Sequence, residues 1–353
     1  MSKLILAASL GAALAPIPAP SVITRRRGRV EFRDGLMTFD AQTIDSAGVF
    51  LVGELERLDP RIHEPLAAVT WSRDIDLRSD VSIADEFSSF TNSSFAAANG
   101  VPGSGKAWVG KGAHAITGIS LDLGKTTSPL PLWAMQLGWT IPELESAQKL
   151  GRPIDQQKFS AMQLKYQMDI DEQVYVGDTA LNLFGLVNSP LVTATNVVNG
   201  ASASPLWSNK TPPEILADVN TLLNNVWTAS AFALVPSKLL IDPVNYSKLV
   251  STLISSAGNI SILQFLKDNS LSNSINGRPL DIQPLKWLSG RGVGGTNRMV
   301  AYTQAEDRVR FPLVPLQRTP LEYRDLRQLT TYFGRLGAVE FVYPETVGYA
   351  DGL

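Results

Sequence analysis

At 353 residues, 44% of them hydrophobic and 18% charged, the chain is long enough for two domains, since single cores stop growing at roughly 250–300 residues. It has no cysteine and only two histidines, His63 and His114, which excludes disulfides, thiolate catalysis and cysteine-ligated metals and makes an imidazole metal cage implausible. A formal net charge of −2 gives no long-range attraction to nucleic acid.

The chain opens with an arm. Lys3 followed by Leu4 to Ala15 imitates the basic start, apolar middle and small-residue end of a secretory signal. That run is too short to span a bilayer, and prolines 16, 18 and 20 would stop a continuing helix. An arm lying on a neighbour is the preferred reading, with a cleaved signal as its rival. Arg25, Arg26, Arg27 and Arg29 are locally basic, either a solvated patch or a contact to phosphate or an acidic neighbour. Phe39 to Leu58 reads as a helix with Ile44, Phe50, Leu51, Leu55 and Leu58 broadly on one side, ended by Asp59-Pro60.

From Trp71 to Trp139 the pattern changes to strand-like alternation, at Val81 and Ile83 and again at Ile119, Leu121 and Leu123, around a Gly/Ser/Asn-rich middle from Asn92 to Gly112. This predicts a long two-stranded ribbon, which alone in water buries too little to hold itself. Within it, Gly100-Val-Pro-Gly-Ser-Gly-Lys106-Ala107 misses the phosphate-binding loop: Ala107 stands where a magnesium-ligating Ser or Thr belongs, and no core strand or helix flanks it. The segment reads as a glycine-rich tip, with Lys106 and Lys111 either solvated or touching a neighbour.

Thr140-Ile-Pro-Glu143 predicts a capping box opening a short helix that Gly151 stops. After Pro153, Phe159, Met162, Tyr166, Ile170 and Val174 recur at helical spacing, a stripe along about 30 Å of axis. Asp169, Asp171 and Glu172 cluster at the end of this helix and read as solvated or salt-bridged surface. Asn188 to Asn209 reads as a linker, and Thr211-Pro-Pro-Glu214 as a second capping box, opening a helix with Ile215, Leu216, Val219, Leu222, Leu223 and Val226 on one stripe. Ala231 to Val235 reads as a buried strand, Asp242-Pro243 as the start of a helix through Leu249 and Leu253, and Ile262 to Leu266 as a short helix. Strands are expected at Leu280 to Leu288, Arg298 to Thr303, Val309 to Leu316 and Ala338 to Tyr343, a mixed α+β class. Gly290-Arg-Gly-Val-Gly-Gly295 has dinucleotide-loop spacing but precedes a strand where a helix is required, and so reads as a turn. The seven tryptophans, Trp108 among them, are dispersed, as core or interface anchors are. Nothing composes an active site.

The order of parts resembles the major capsid proteins of tailed bacteriophages with the Hong Kong 97-type fold, and more narrowly a phage coat family formerly of unknown function. The residues carrying the resemblance are Thr38-Phe-Asp-Ala-Gln42, Gln148-Lys-Leu-Gly-Arg-Pro-Ile-Asp155, and Asp171-Glu-Gln-Val-Tyr-Val-Gly-Asp178 leading to Gly185-Leu-Val-Asn188. It implies an N-terminal arm (1–38), a helix and lead-in (39–70), an extended loop (71–139), a peripheral domain with a spine helix (140–188), an axial domain (189–319) and a return to the peripheral domain (320–353). It further implies a non-enzymatic subunit without cofactor or metal, forming hexamers and pentamers of an icosahedral virion shell around double-stranded DNA. Portal, scaffolding and decoration proteins are the implied partners, and no membrane is. The candidate inter-subunit residues are Arg25, Arg26, Arg27, Arg29, Lys106, Trp108, Lys111, Arg291 and Asn297. Two other readings stay open on residues alone: a secreted, cysteine-free binding protein, and an encapsulin-like compartment with the same fold.

Overall fold

The computed structural model describes residues 29–30, 39–40, 68–97, 111, 118–149, 154–254 and 259–353. The chain divides into two compact units, Met1–Leu66 and Ala67–Leu353. In the first, β1 (Arg29–Val30) pairs antiparallel with β2 (Phe39–Asp40). Phe39 and Asp40 are therefore strand where the sequence suggested the start of a helix, and the rest of that expected helix lies outside the described residues.

The second unit carries β3 (Asp76–Arg78), β4 (Phe87–Ala97), β5 (Ile119–Pro129), β6 (Leu132–Thr140), β7 (Ala194–Asn196), β8 (Lys238–Ile241), β9 (Asp281–Pro284), β10 (Arg298–Tyr302), β11 (Val309–Arg318), β12 (Glu322–Arg324), β13 (Arg327–Leu336), β14 (Glu340–Phe341) and β15 (Val347–Asp351). One sheet has the order β7-β15-β10-β8-β9. The other has the order β12-β13-β11-β14, with β3 parallel on β11 and β6 antiparallel on β13. β4 and β5 pair only with each other, in register from Phe87↔Pro129 to Ala97↔Ile119.

The long helix Ile154–Tyr175 presents Met162, Tyr166, Ile170 and Val174, all buried, at the spacing read from the sequence. Tyr166, Ile170 and Val174 join residues of both sheets, such as Val300, Tyr302, Phe311 and Tyr349, in one core cluster. Met162 packs with Leu137 and Trp139 in another. The helix Pro212–Ala229 buries Ile215, Val219, Leu222, Leu223 and Val226 in a third cluster with Leu239, Ile241, Met299, Ala301 and Ala350 from the five-stranded sheet. Contact there is close: a Cβ on Gly348 would lie 2.5 Å from a Val226 methyl. Gly185 is tighter still, because a Cβ would lie 2.3 Å from the Tyr175 carbonyl group, where the chain folds back on the end of the long helix.

The two capping sites form as read. Glu143 accepts the Thr140 N–H (3.4 Å) and donates its own to the Thr140 hydroxyl (3.3 Å), and Glu214 accepts the Thr211 N–H at 2.7 Å. Several local expectations are corrected. Ile83 sits in the turn from Ser82 to Asp85 and Val81 just before it, and neither is in a strand. Ala231 and Phe232 take left-handed φ of 52° and 63°, ending the preceding helix, and the buried strand begins later, at Lys238. The supposed linker 188–209 buries Val192, Val197 and Trp207 and contributes β7. The Leu280–Leu288 strand spans only Asp281–Pro284 before a short 3-10 turn, and the Ala338–Tyr343 strand only Glu340–Phe341. Residues 71–78 and 132–140 belong to a short helix and to strands of the six-stranded sheet, so the free ribbon is β4–β5 alone.

Candidate functional site

The ribbon is the element whose burial is left unfinished. Every described side chain of β5 except Ser128 is exposed, and Ile119, Leu121 and Leu123, alternating along it, are 74%, 61% and 62% exposed. Successive alternate residues of a strand share a face, so these three form one exposed apolar stripe that no described residue covers. An isolated two-stranded ribbon is marginal in water, and exposed contiguous apolar surface of this kind marks an interaction site.

The root of the ribbon, by contrast, is locked by charge. Buried Glu340 accepts from Arg310 Nε at 2.8 Å, from Arg78 Nη1 at 3.3 Å and from the Ser88 hydroxyl. Arg78 Nη1 also donates to Ser88 Oγ at 2.9 Å and to the Ser89 carbonyl at 3.0 Å. Arg335 donates to the carbonyls of Ile83 and Leu130, each at 2.7 Å. Charge-assisted bonds in a buried setting fix direction, so the ribbon leaves the six-stranded sheet at a set angle. Hydrogen bonds from Arg78 also hold the Asp80 carboxyl below its usual range.

Behind this root lie further buried charges that sequence reading missed. Asp171, expected at the surface, is fully buried: it accepts the N–H groups of Thr70 (2.8 Å) and Trp71 (3.1 Å) and the Trp287 indole (2.7 Å), with Lys286 at 3.2 Å. Its neighbours fit the expectation better, Asp169 pairing with Lys165 at 2.5 Å and Glu172 being exposed. Asp74, also fully buried, meets Arg73 at 2.7 Å, Lys238 at 3.1 Å and the Tyr175 hydroxyl at 2.5 Å. Arg298 forks onto Asp351 at 2.6 and 2.7 Å and lies over the Tyr349 ring. No local signal reveals these residues, since, apart from Arg73 beside Asp74, these carboxylates find their partners across the fold. Trp71, Trp133 and Trp207 are anchored through the indole N–H, on Gln167, Asp169 and Asp218 respectively.

Burial pushes Tyr166 up to about 12, and it pushes Tyr302 and Tyr349 up as well; Tyr175 rises through burial first and the Asp74 charge second. Because these folded-state values lie above the unfolded one, the stability they contribute is present below about pH 10 and is lost as pH rises through the folded values. Spectrophotometric titration at 295 nm should therefore show four of the eight tyrosines ionising only as tertiary structure is lost. Reversible ionisation of all eight with the near-ultraviolet circular dichroism intact would contradict the packing.

The candidate inter-subunit residues scatter. Arg25, Arg26, Arg27, Lys106 and Trp108 lie outside the described residues; Arg29 begins β1, and Lys111 is exposed in a turn. Arg291 is exposed in the loop before β10. Asn297 instead holds that loop closed, its Oδ1 accepting the Gly290 N–H at 3.0 Å and its carbonyl accepting those of Gly352 and Leu353. Left-handed φ at Gly290, Gly294 and Gly295 makes the segment a tight turn, and β10 follows it. Among the described residues no group of three His, Asp or Glu is placed to hold a metal ion, and no helix is long and apolar enough to cross a membrane.

A family model described as "Major capsid protein" matches residues 105–353. No curated protein matches the sequence. Solved structures do: the capsid of Myoviridae phage XM1 is similar over 85% of this chain and 98% of that one, with a TM-score of 0.69 at 17% identity. The capsid of a native GTA particle (84% and 94% covered, TM-score 0.55, 10% identity) and Mycobacterium phage Bobi (85% and 96%, 0.54, 12%) share the fold.

Proposed function

Because the chain belongs to the major capsid protein family and has the Hong Kong 97-like fold, we propose that this structural protein assembles, as hexamers and pentamers, the icosahedral head of a tailed phage. The observation that carries the assembly mode is the β4–β5 ribbon: a root fixed by buried charge, and an exposed apolar stripe uncovered by the described residues. A ribbon of this kind is completed by a neighbouring copy. In this reading the β4–β5 ribbon is the extended loop, the long helix the spine of the peripheral domain and 189–319 the axial domain, with the turn at Ser289 to Asn297 facing a capsomer centre. Arg25 to Arg29 and the ribbon tip with Lys106, Trp108 and Lys111 reach adjacent subunits. Portal, scaffolding and decoration proteins are its further partners. Packaged double-stranded DNA is touched weakly and without sequence preference, in keeping with a net charge of −2. Assembly takes place in the host cytoplasm and the product is the virion.

Negative-stain microscopy with light scattering on the purified full-length chain tests the proposal. Closed shells or stable rings of five and six are expected, alone or with scaffold added. A monomer that stays monomeric under both conditions would overturn it.

A further inference from the structure

Two loops, 197–206 and 290–297, meet at one end of the five-stranded sheet, around Asp351 and Gly352. The Val197 N–H donates to the Asp351 carbonyl at 2.8 Å, the Val293 N–H to an Asp351 carboxylate oxygen at 3.2 Å, and the Gly352 N–H to the Thr296 hydroxyl at 3.1 Å. A Cβ on Gly352 would lie 3.6 Å from Pro205. On this end Val198 is 73% exposed, Val293 67% and Leu206 42%. The backbone that carries them is pinned, with Gly200 donating to the Ser204 carbonyl at 3.0 Å and Gly290 to Asn297 Oδ1 at 3.0 Å.

Charge is missing from the same loops. No Asp, Glu, Lys or Arg occurs from Asn188 to Asn209, in a chain that is 18% charged, and Arg291 is the only one from Ser289 to Asn297. The neighbouring charges already have partners: Arg298 forks onto Asp351, Lys210 pairs with Asp218, Glu214 accepts the Thr211 and Ala201 N–H groups, and Lys248 donates to the Trp207 carbonyl. Depletion of charge under exposed apolar side chains is the composition of an interface centre. Rotational symmetry adds a reason: close to an axis each residue meets its own counterpart, so any charge there faces a like charge. An uncharged apolar surface is one that identical copies can share about an axis. Arg291 is exposed, and its length lets the guanidinium stay in water.

We propose that Val198, Leu206 and Val293 form the surface on which copies of this chain meet around the axis of a ring. The inference rests on the capsid reading, which sets copies about such axes, and it adds the loop 197–206 to the turn at Ser289 to Asn297. Val198 of each copy lies near Val198 of the next.

Light scattering and negative-stain microscopy on full-length variants test this. Val198→Asp and Val198→Lys should each lower the yield of rings and shells about ten-fold, because each gathers like charges around the axis. The denaturation midpoints should match that of the native chain, since the site is exposed. Val250→Asp, at a 49% exposed valine on the helix Pro243–Ser251 outside both loops, should assemble like the native chain. Mixing Val198→Asp and Val198→Lys chains in equal amounts should recover hexameric rings to about half the native yield, since alternate copies then set opposite charges side by side. Normal shells from Val198→Asp, an equal loss from Val250→Asp, or no recovery in the mixture would overturn the inference and leave the capsid reading standing. A native chain that never associates, with or without scaffold, would overturn both.

Discussion

Excising the distal ribbon is expected to abolish shell closure while leaving the subunit folded. The register defines the cut: Ser93 lies opposite Leu123, so residues 94–122 are replaced by an Asn-Gly turn and β4 and β5 still meet in the same pairing. The described residues of the removed part include Ile119 and Leu121, and none of them belongs to the three core clusters. The denaturation midpoint of the unassembled subunit should therefore shift by no more than about 1 kcal/mol, within the range of surface changes. Shells seen by microscopy should disappear, because two of the three stripe residues and the lysine-bearing tip are gone. Normal shells from this variant would refute the assignment of the ribbon to assembly.

Asp74→Ala is expected to be the most damaging single substitution in the body of the subunit. The carboxylate is fully buried and joins Arg73, Lys238 and Tyr175, and Lys238 is itself only 3% exposed. Deleting the Asp74 carboxylate leaves buried Lys238 with only the Asp281 carboxylate, itself 44% exposed, at 3.2 Å, and breaking a buried ionic set in this way costs about 3–5 kcal/mol against a total of roughly 5–15. Denaturant melts of the unassembled subunit measure this directly. Asp80→Ala serves as the contrast: Asp80 is 66% exposed although it pairs with Arg78 at 2.6 Å, so its loss should cost below about 1 kcal/mol. Equal costs for the two substitutions would mean that the Asp74 cluster is solvated in solution.

The contrast between these two aspartates also marks what a sequence can and cannot reveal. Both stand in short polar stretches near a strand, and nothing local separates them. Asp74 is buried because the helix Trp71–Asp74 packs on the long helix at Tyr175, a partner 101 residues away. Asp171 was misread for the same reason. It closes a helix whose opposite face is polar, and only Thr70, Trp71 and Trp287, each about a hundred residues distant, make it an internal acceptor. The strand Val347–Asp351 carries a glycine and an aspartate and shows no alternation, yet all five residues are buried, because it lies between two other strands under the helix Pro212–Ala229. Ala231 to Val235 failed in the opposite direction: an apolar run that suits a buried strand was spent on a left-handed helix exit.

The sequence by itself determined the features whose physics is local. The two glutamate caps, the stripe of the long helix, the alternation of Ile119, Leu121 and Leu123, and the absence of any thiol chemistry follow from neighbours within a few residues or from composition. It also carried the likeness to capsid subunits, through the order of ribbon, spine helix and second compact region. Tertiary structure alone decided which strands lie side by side, where the free ribbon begins and ends, and which carboxylates are internal. Those outcomes depend on pairs separated by up to 262 residues, as Arg78 and Glu340 are, and such pairs are chosen by how whole faces fit rather than by any local pattern.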